Sequence, residues 1–419
     1  MRAVVALLAL ALVFAAGSCS HRERANPLDA ANPDTGGAPQ GFNAVADAAA
    51  VELSWTPRPD LAIDGVQIFR LAPGDSLYRA LTGVLPTTLS QFIDATAQPG
   101  VEYHYRIHYV IGGQIAANWA EDVAMPGPIV AWVADPAGGR LLRLSPDGRD
   151  VVVARTGYGS VSALAVTPRH GTLWVADELS GTLDALDPGG LLGPRITTAS
   201  HPAAIALDPT NGNAWVSDRN GNAGAVFHFQ PGGSTALPAS LTLLDDPVGI
   251  ATDPNDASVW VTEFDGSRIR HYESSGLPLG ARPLLDPARV AVDSTSHEAW
   301  VTSIASGWVW RVSPALAVLD SFRLHSPVGV ALDWRRRTAW ICDVDGDALV
   351  AVNMDTRAER FRVVGLGNPW DAAVDLSSGE VWVVARGSSR AFRISATGKQ
   401  LTSVPGLGDP FQIRLDPGP

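Results

Sequence analysis

The sequence lacks the local motifs from which nucleophilic, metalloprotease and nucleotide-binding sites are built. It has no Gly-x-Ser-x-Gly elbow, no His-Glu-x-x-His pair and no phosphate loop ending in Gly-Lys-Ser/Thr. The nine histidines show no paired spacing typical of a metal site. Any site must therefore be assembled by the fold from side chains that are distant in the chain.

Two short stretches concentrate charge. DVDGD, from Asp343 to Asp347, begins like a calcium loop, but the glycine comes before the third acid and position twelve is Met354 or Asp355. An EF-hand loop has the glycine after the third acid and a glutamate at position twelve, so a hairpin turn is favoured. DWRRRTAW, which contains Arg337, is expected to form a solvated turn. We expect neither a metal nor another cofactor.

The composition narrows the class of protein. The 419 residues include 41 Gly, 31 Pro and 13 Trp, and the formal net charge is −12. Many turn residues and few helical patterns indicate short strands between turns, hence an all-β fold. A sequence-independent nucleic-acid binder needs a basic surface, so the acidic balance argues against a nucleic-acid partner.

A tryptophan followed by an apolar pair and often an acid recurs every 40 to 45 residues. It occurs at Trp132, Trp174, Trp215, Trp260, Trp300, Trp340 and Trp382. A second motif, Pro-x-x-(apolar)-(small)-x-Asp, precedes most copies. We call the strand that this motif predicts the first strand of the repeat, and the strand that contains the tryptophan the Trp strand. The motif begins at Pro202, Pro247, Pro287, Pro327 and Pro369, with a degenerate form at Val161. A period of this length with four strands per unit predicts the blades of a β-propeller.

The two ends of the repeat array complement each other. Trp132 has no first strand before it, and DPFQIRLDPGP, from Asp409, supplies a first strand with no Trp strand after it. Seven Trp strands and seven first strands therefore predict seven blades, closed by pairing of residues 409–416 with the Trp132 strand. Closure removes the open edge strands that invite aggregation.

Residues that recur across the repeats have structural explanations. The tryptophan is expected to fill the wedge between blades. The acids that end the first strand and those that follow the Trp strand are expected to bind backbone N–H groups of turns. The former are Asp208, Asp253, Asp293, Asp333, Asp375 and Asp416; the latter are Asp135, Asp177, Asp218, Glu263 and Asp343.

The repeats resemble those of NHL, YVTN and virginiamycin-B-lyase-type propellers, which share a W/Y-V-x-D/E…G…I blade. WVTEFDGSRIRHY, from Trp260, carries the resemblance best, and residues 127–419 are covered. The resemblance implies the fold more than an activity, because such propellers include binding proteins, sensors and a few enzymes. The lyases among them use a histidine and a metal-binding acid on one face. His201 and His271 are the available histidines, and no local motif supports either.

Residues 40–126 precede the repeats and alternate apolar and polar side chains. This segment resembles a fibronectin type III sandwich, with Trp55 in the second strand and a Tyr-x-Tyr-x-Ile run from Tyr103. Tyr103 is the expected tyrosine corner of such a sandwich. The resemblance implies a spacer or a docking surface and nothing catalytic.

The N-terminus indicates export. Residues 1–18 hold Arg2, an apolar run and the sequence AAGS before Cys19, which resembles a bacterial lipobox with Ala16 in place of the usual leucine. Lipidation of Cys19 and anchorage to an outer membrane or cell surface are expected; the alternative is an ordinary signal peptide cleaved near Ser18. Residues 19–39 then form a flexible tether. Cys342 is expected to be an inert buried thiol.

A candidate ligand site follows from the register of the repeats, because residues at the start of each first strand ring the central funnel of a propeller. Residues before the first-strand proline are Ser160, His201, Asp246, Asp286, Ser326, Asn368 and Asp409. Residues two after it are Ala163, Ala204, Gly249, Arg289, Gly329, Asp371 and Gln412. Trp370 and Phe411 occupy the position between. Variation at these positions is more than packing requires, which points to recognition.

These features predict an envelope binding protein, expected to be monomeric, that uses a propeller face to bind a protein, glycan or small ligand. The alternative is a metal-assisted lyase or lactonase of the virginiamycin-B-lyase or gluconolactonase-like type. The predicted ligand-binding residues are Arg289, Trp370, Asp371, Phe411, Gln412, His201, Asp246, Asp286 and Asp409. A competing interpretation is that Arg289 simply pairs with Asp371 or Asp286 and fills the axis.

The anchor is directly testable. Replacing Cys19 by serine removes the thiol that would carry the lipid, so Cys19→Ser should move the protein from the membrane pellet to the soluble fraction. Fractionation followed by immunoblotting measures this. A wild-type protein that is already soluble would contradict lipidation at Cys19.

Overall fold

The computed structural model describes most of the chain after residue 25. The described residues are 26–30, 32, 35–46, 50–98, 101–124, 126–127, 129–167, 172–187, 190–191, 193–197, 201–209, 211–220, 223–237 and 240–416. The predicted signal peptide, Cys19 and part of the predicted tether lie outside them. Over the described ranges the secondary structure is all β, as predicted, and no helix there is long and apolar enough to cross a membrane.

Contacts between Cα atoms divide the chain into two units. The first comprises Met1–Asn43, Ser54–Gln91 and His104–Asp122, and the second comprises Ala44–Leu53, Phe92–Tyr103 and Val123–Pro419. This division groups part of the segment predicted as a sandwich with the repeat array.

The strands before residue 125 form two sheets. They are β1 (Asn43–Ala46), β2 (Val51–Ser54), β3 (Gly65–Leu71), β4 (Arg79–Ala80), β5 (Gln91–Asp94), β6 (Tyr103–Ile111) and β7 (Gln114–Ala124). The strand orders are β1-β2-β5, mostly within the second unit, and β4-β3-β6-β7, mostly within the first. Side chains alternate along β6 as predicted, with Tyr103, Tyr105, Ile107 and Tyr109 buried. The Tyr103 hydroxyl accepts a hydrogen bond from the backbone N–H of Gln98 at 3.2 Å.

The strands from Val130 onward form repeated antiparallel sheets. They are β8 (Val130–Asp135), β9 (Arg140–Leu144), β10 (Val151–Thr156), β11 (Val161–Val166), β12 (Leu173–Asp177), β13 (Thr182–Asp187), β14 (Gly190–Leu191), β15 (Ile196–Thr197), β16 (Pro202–Leu207), β17 (Ala214–Asp218), β18 (Gly224–Phe229), β19 (Leu241–Leu244), β20 (Pro247–Thr252), β21 (Val259–Glu263), β22 (Arg268–Tyr272), β23 (Pro278–Pro283), β24 (Arg289–Val292), β25 (Ala299–Thr302), β26 (Trp308–Val312), β27 (Val318–Arg323), β28 (Pro327–Asp333), β29 (Thr338–Asp343), β30 (Ala348–Asn353), β31 (Glu359–Val364), β32 (Pro369–Val374), β33 (Val381–Ala385), β34 (Arg390–Ile394), β35 (Gln400–Pro405) and β36 (Gln412–Asp416).

Within these described strands there are seven sheets, and six of them have four strands. Five follow chain order, namely β16-β17-β18-β19, β20-β21-β22-β23, β24-β25-β26-β27, β28-β29-β30-β31 and β32-β33-β34-β35. The sheet β11-β12-β13-β14 has β15 as a fifth strand, which pairs with β13. The remaining sheet has the order β10-β9-β8-β36, so it joins the two ends of the repeat array.

The repeated tryptophan packs between neighbouring sheets, as predicted. Trp215, for example, shares an apolar cluster with Val259, Val261 and Tyr272 of the next sheet. In six of the seven sheets the indole lies opposite an alanine of the first strand, as Trp215 does opposite Ala206, whereas Trp132 lies opposite Arg414. Such a large side chain packs most area when its cross-strand neighbour leaves room for the ring. The indole therefore explains why a small residue stands two positions before the Asp that ends the first strand, as Ala206 does before Asp208.

The C-terminal strand closes the array. β36 pairs antiparallel with β8, with Ile413 opposite Val133, which confirms the pairing predicted from the two ends of the array. Ile413 is fully buried in a cluster with Trp382 and Val133. Consecutive first strands (β11, β16, β20, β24, β28, β32 and β36) contact one another, and β36 contacts β11, so these described strands form a closed ring.

Because β36 closes the array, truncation of the C-terminus is expected to destabilise the fold. Deleting residues 409–419 removes β36 and leaves β8 as an open edge, so the single cooperative unfolding transition should be lost. Ile413→Ala alone should cost about 2–5 kcal/mol, the usual penalty for emptying a core position. Calorimetry and circular dichroism measure both effects, with deletion of residues 417–419 alone as the control. Unchanged melting of the 409–419 deletion would contradict a structural role for closure.

Candidate functional site

The first strands surround a partly open cavity of about 220 Å³, which we call the axial cavity. Three sets of residues line it. Seven come from the position next to the start of each first strand: Ser162, Ala203, Val248, Ala288, Val328, Trp370 and Phe411. Four lie four residues after the repeated tryptophan: Glu178, Arg219, Phe264 and Ile304. Arg289, the first residue of β24, completes the lining.

In five of the seven first strands an irregular ladder leaves the cavity-lining residue of the first set unpaired. In β20 the ladder runs from Pro247 directly to Gly249, so Val248 has no cross-strand partner. The same skip leaves Ala203 unpaired in β16 and Trp370 unpaired in β32. A bulge inserts one residue that the ladder cannot pair and redirects its side chain. In these strands the register leaves one cavity-lining side chain free to vary, whereas Ala288 and Phe411 lie just before the regular ladders of β24 and β36.

The acid that ends the Trp strand holds the start of the first strand. The Asp218 carboxylate accepts the backbone N–H of His201 at 2.8 Å, and Asp343 accepts that of Ser326 at 2.8 Å. Both acids are buried. This confirms the predicted backbone-binding role for these acids, and it fixes the chain immediately before each bulge.

An aromatic pair forms one side of the axial cavity. The ring centroids of Trp370 and Phe411 lie 5.8 Å apart with their planes tilted by 36°. The guanidinium carbon of Arg386 lies 4.5 Å from the Trp370 centroid and 5.6 Å from that of Phe411. The guanidinium carbon of Arg289 lies 5.5 Å from the Phe411 centroid. The three distances from a guanidinium carbon to a ring centroid are within the range of cation–π attraction. Two arginines therefore flank the aromatic pair.

The two arginines differ in their partners. Arg386 forms a bidentate ion pair with Asp409, with two N–O distances of 2.7 Å. No carboxylate of the described residues lies within 4.0 Å of the Arg289 guanidinium, and no described group accepts a hydrogen bond from it. Burial lowers the pKa of Arg289 from its usual value, and the carboxylate of Asp371 opposes this. The axial cavity thus holds a cation without an ion-pair partner among the described residues.

Asp371 and Gln412 were both predicted to bind ligand, and both instead bind backbone in the structure. Asp371 forms an ion pair with Arg414 at 2.7 Å and accepts the N–H of Ile413. Gln412 is buried and accepts the N–H of Leu164. Each contact joins one first strand to the next. The interpretation that Arg289 fills the axis by pairing with Asp371 is therefore wrong, because Arg414 holds that carboxylate.

The other predicted residues lie outside the cavity lining. Asp246 forms a bidentate pair with Arg219, with N–O distances of 2.6 and 2.9 Å, just as Asp409 does with Arg386. Asp286 accepts a hydrogen bond from Ser267, and the side chain of His201 is exposed. Arg219, Arg386 and Phe264 were missed from the sequence. The sequence signal that could have found them is the variation at the position that follows the Trp strand in each repeat.

His271, the second histidine considered for lyase chemistry, has a structural role. Its ring stacks on Trp260 with centroids 3.9 Å apart, its Nδ1 lies 3.0 Å from the Pro314 carbonyl oxygen, and its Nε2 lies 3.0 Å from Ser258 Oγ. Burial lowers its pKa, which favours the neutral ring. His228 stacks on Trp215 at the same repeat position. Both nitrogens of His271 are already used, so it offers no atom to a metal.

One group of side chains has metal-ligand chemistry. The ligand atoms of Asp253, Asp256 and His297 lie within 4.8 Å of one another, and His297 Nδ1 is 2.7 Å from Asp253 Oδ2. One sheet further on, Arg337 and Asp293 occupy the equivalent positions and form an ion pair at 2.7 Å. Because this contact between adjacent sheets forms with either histidine or arginine, it does not require a metal. We call the contact of Asp253 with His297, and that of Asp293 with Arg337, the inter-sheet clasp. Arg337 is therefore not the solvated tip predicted, because the neighbouring acid is within its reach.

The stretch from Asp343 to Asp347 forms the predicted hairpin turn between β29 and β30. Its acids bind the chain around them: the Asp347 carboxylate accepts the N–H groups of Gly367 at 2.6 Å and Asn368 at 3.0 Å. The first-strand acids act similarly, since Asp253 Oδ1 accepts the N–H of Asn255 at 2.8 Å.

The clasp can be distinguished from a metal site by substitution. His297→Arg should keep the stability of the wild type, because Arg337 already makes this contact in the next sheet. His297→Leu should lower the free energy of unfolding by about 0.5–1.5 kcal/mol, the net worth of one hydrogen bond. Urea denaturation in EDTA and in excess Mg²⁺ or Zn²⁺ measures both. A wild-type protein that gains stability with either cation, while His297→Arg does not, would contradict the clasp.

No protein-family model and no curated protein matches the chain. Solved structures do match. A functionally unknown protein from Desulfotomaculum acetoxidans is 13% identical, covers 68% of this chain and 98% of its own, and gives a TM-score of 0.60. A catalytically inactive virginiamycin B lyase from Staphylococcus aureus, crystallised with quinupristin, is 14% identical over 61% of this chain and 92% of its own, with a TM-score of 0.52. Sqt1 from Saccharomyces cerevisiae is 16% identical over 68% and 83%, with a TM-score of 0.52.

Identities this low compare folds and carry no activity. The match to virginiamycin B lyase-like propellers agrees with the repeated four-stranded antiparallel sheets and with the ring of first strands. The repeat array of this chain has the fold of a β-propeller.

Proposed function

We propose that this chain is a lipid-anchored binding protein of a bacterial cell envelope, in which a propeller binds a small ligand in its axial cavity. In this proposal a signal peptide is removed at Cys19, the lipid on Cys19 holds the protein at a membrane, and residues 19–39 act as a tether. A fibronectin type III-like sandwich and a seven-bladed propeller follow. The lipobox-like sequence before Cys19 supports the anchor.

Several observations support this architecture. For the propeller, seven sheets lie within the described residues from Val130 on, and β36 pairs with β8. For the sandwich, β6 alternates, and Tyr103 accepts the hydrogen bond from Gln98 that a tyrosine corner would make a few residues upstream.

The observation that carries the binding function is the asymmetry of the cavity-lining position at the start of the first strands. Five of the seven residues there are serine, alanine or valine, which are sufficient for the fold at that position. Trp370 and Phe411, in adjacent sheets, are large aromatic residues that remain partly accessible. Packing in a repeat array does not require two neighbouring copies to differ so much from the rest. Aromatic side chains beside convergent polar groups are typical of ligand sites.

The size of the cavity favours a small ligand over a protein surface or a long glycan. Its volume of about 220 Å³ is below the usual range for drug-sized ligands, roughly 300–1,000 Å³. A compound of one or two rings, or one side group of a larger molecule, fits this space. The walls are largely apolar, with Glu178, Arg219 and Arg289 as the charged residues among those described as lining it.

The lyase or lactonase alternative has only the fold likeness behind it. The described lining residues of the axial cavity include no histidine and one carboxylate, that of Glu178. His271 is engaged on both ring nitrogens, and the Asp253–His297 pair has an Arg–Asp equivalent in the next sheet. These contacts favour binding over metal-assisted elimination.

The proposal predicts that the full-length protein, purified from its native membrane, carries a small compound. Denaturation followed by mass spectrometry of the released material should detect it in the wild type. The double variant Trp370→Ala, Phe411→Ala should retain about tenfold less or lower, since central aromatic contacts are commonly worth more than 1.4 kcal/mol. Melting temperatures, measured in parallel, should stay close to each other.

Trp119→Ala is the matched control, because it removes a partly exposed indole from the other unit. It should leave retention unchanged. Equal retention by the double variant and the wild type, or no compound in the wild type, would overturn ligand binding in the axial cavity.

A further inference from the structure

The charge balance of the axial cavity identifies a class of ligand. Three arginines around it have carboxylate partners: Arg219 with Asp246, Arg386 with Asp409, and Arg414 with Asp371, at 2.6 to 2.7 Å. Arg289 reaches the same space, and no described carboxylate lies within ion-pair distance of it. The one carboxylate among the described lining residues, that of Glu178, is also beyond ion-pair distance, so no described side chain pairs with Arg289.

An arginine in this position is costly to the fold. Arg289 is half-buried in a largely apolar cavity, and a charge held away from water is unfavourable unless it is paired and hydrogen-bonded. The copies of this position in the other first strands are Ala163, Ala204, Gly249, Gly329, Asp371 and Gln412. Alanine or glycine serves in four of them, so the strand does not need an arginine here.

Arg289 lies beside an aromatic wall in a cavity whose lining is largely apolar. The ring of Phe411 lies 5.5 Å from its guanidinium carbon, and Trp370 packs against that ring at 5.8 Å. Ala288, Val248 and the aromatic pair supply most of the nearby wall. A ligand that meets Arg289 with a charge must therefore present an apolar body to the rest of the cavity.

We propose that the axial cavity binds an organic carboxylate, whose anionic group is held by the Arg289 guanidinium and whose flat apolar body lies against Trp370 and Phe411. This inference rests on the binding function proposed above and names its ligand class. Arginine binds a carboxylate through two parallel N–H···O bonds. One unpaired arginine fits a monoanion better than a phosphate dianion.

The volume agrees with this class. An apolar cavity of about 150 Å³ admits benzene. The axial cavity, at about 220 Å³, therefore has room for one ring with a carboxylate attached. Phenylacetate is a suitable probe, because phenylacetamide has the same shape and no charge.

The test uses calorimetric titration of the full-length protein in detergent at neutral pH. Wild-type protein should bind phenylacetate in the millimolar range or tighter, and at least about tenfold more tightly than phenylacetamide, since hydrogen bonds to charged groups are worth about 1.5–3 kcal/mol. Arg289→Gln should lose about 10- to 100-fold in affinity for phenylacetate and little for phenylacetamide. Arg289→Lys, which keeps the charge, should recover part of the loss.

Arg323→Gln is the matched control. Arg323 also lies over an indole, that of Trp308 at 4.7 Å, but it is exposed and outside the cavity lining. It should bind phenylacetate as the wild type does. A second measurement, the melting temperature without ligand, should be unchanged or higher in Arg289→Gln and lower in Arg386→Gln, because only the second variant breaks an ion pair.

Equal binding of phenylacetate and phenylacetamide, unchanged phenylacetate binding in Arg289→Gln, no binding of phenylacetate, or equally tight binding of inorganic phosphate would each overturn the carboxylate inference. These results are separable from failure of the binding function. If the Trp370→Ala, Phe411→Ala variant still loses its co-purified compound, the cavity binds a ligand and only the anionic class is wrong.

Discussion

The packing of an indole between two adjacent sheets is the interaction on which the repeat array depends. Trp260, for instance, is fully buried against Ala299, Val301 and Trp310 of the following sheet. A four-stranded sheet cannot bury both of its faces alone, so each one takes its stability from its neighbours. In such an array an unpartnered last sheet would expose a whole apolar face. The C-terminal strand β36 removes this problem, because it completes the sheet that also contains the first Trp strand.

Closure also creates the site. Once the first strands form a ring, their starts surround a central space. The irregular ladders of β11, β16, β20, β28 and β32 each leave unpaired a residue that lines it. The buried acids at the ends of the Trp strands hold the preceding backbone, so the bulge has a fixed position. The scaffold is therefore nearly uniform, while the side chains that the sheets contribute to the cavity differ.

Charges around the axial cavity are mostly neutralised across sheet boundaries. Arg219 and Arg386 each follow a Trp strand, and each pairs with the acid that precedes the next first strand. Asp371 and Gln412 bind backbone N–H groups of the adjacent strand instead of facing the cavity. Arg289 is the exception among these residues. Its position beside Phe411 combines a cation with an aromatic wall, which suits recognition of an anion with an apolar body.

The sequence by itself determined the elements and their order. The 40- to 45-residue spacing from Trp132 to Trp382 reports a local pattern, one indole per sheet, and the incomplete ends at Trp132 and Asp409 were enough to predict their pairing. These features are visible because a repeat must satisfy the same local packing in every copy. The sequence also identified Arg289, Trp370 and Phe411 as departures from the repeat.

Only the tertiary structure decided which departures share a space. Asp371, Gln412, Asp246 and Asp409 vary as much as Arg289 does, yet each has a partner supplied by a neighbouring sheet. Those partners lie 23 to 248 residues away in the chain. Charge neutralisation depends on distances of a few ångströms between sheets, which no local pattern encodes. For that reason the sequence could propose nine ligand-binding residues, and only the fold could place three of them in one cavity.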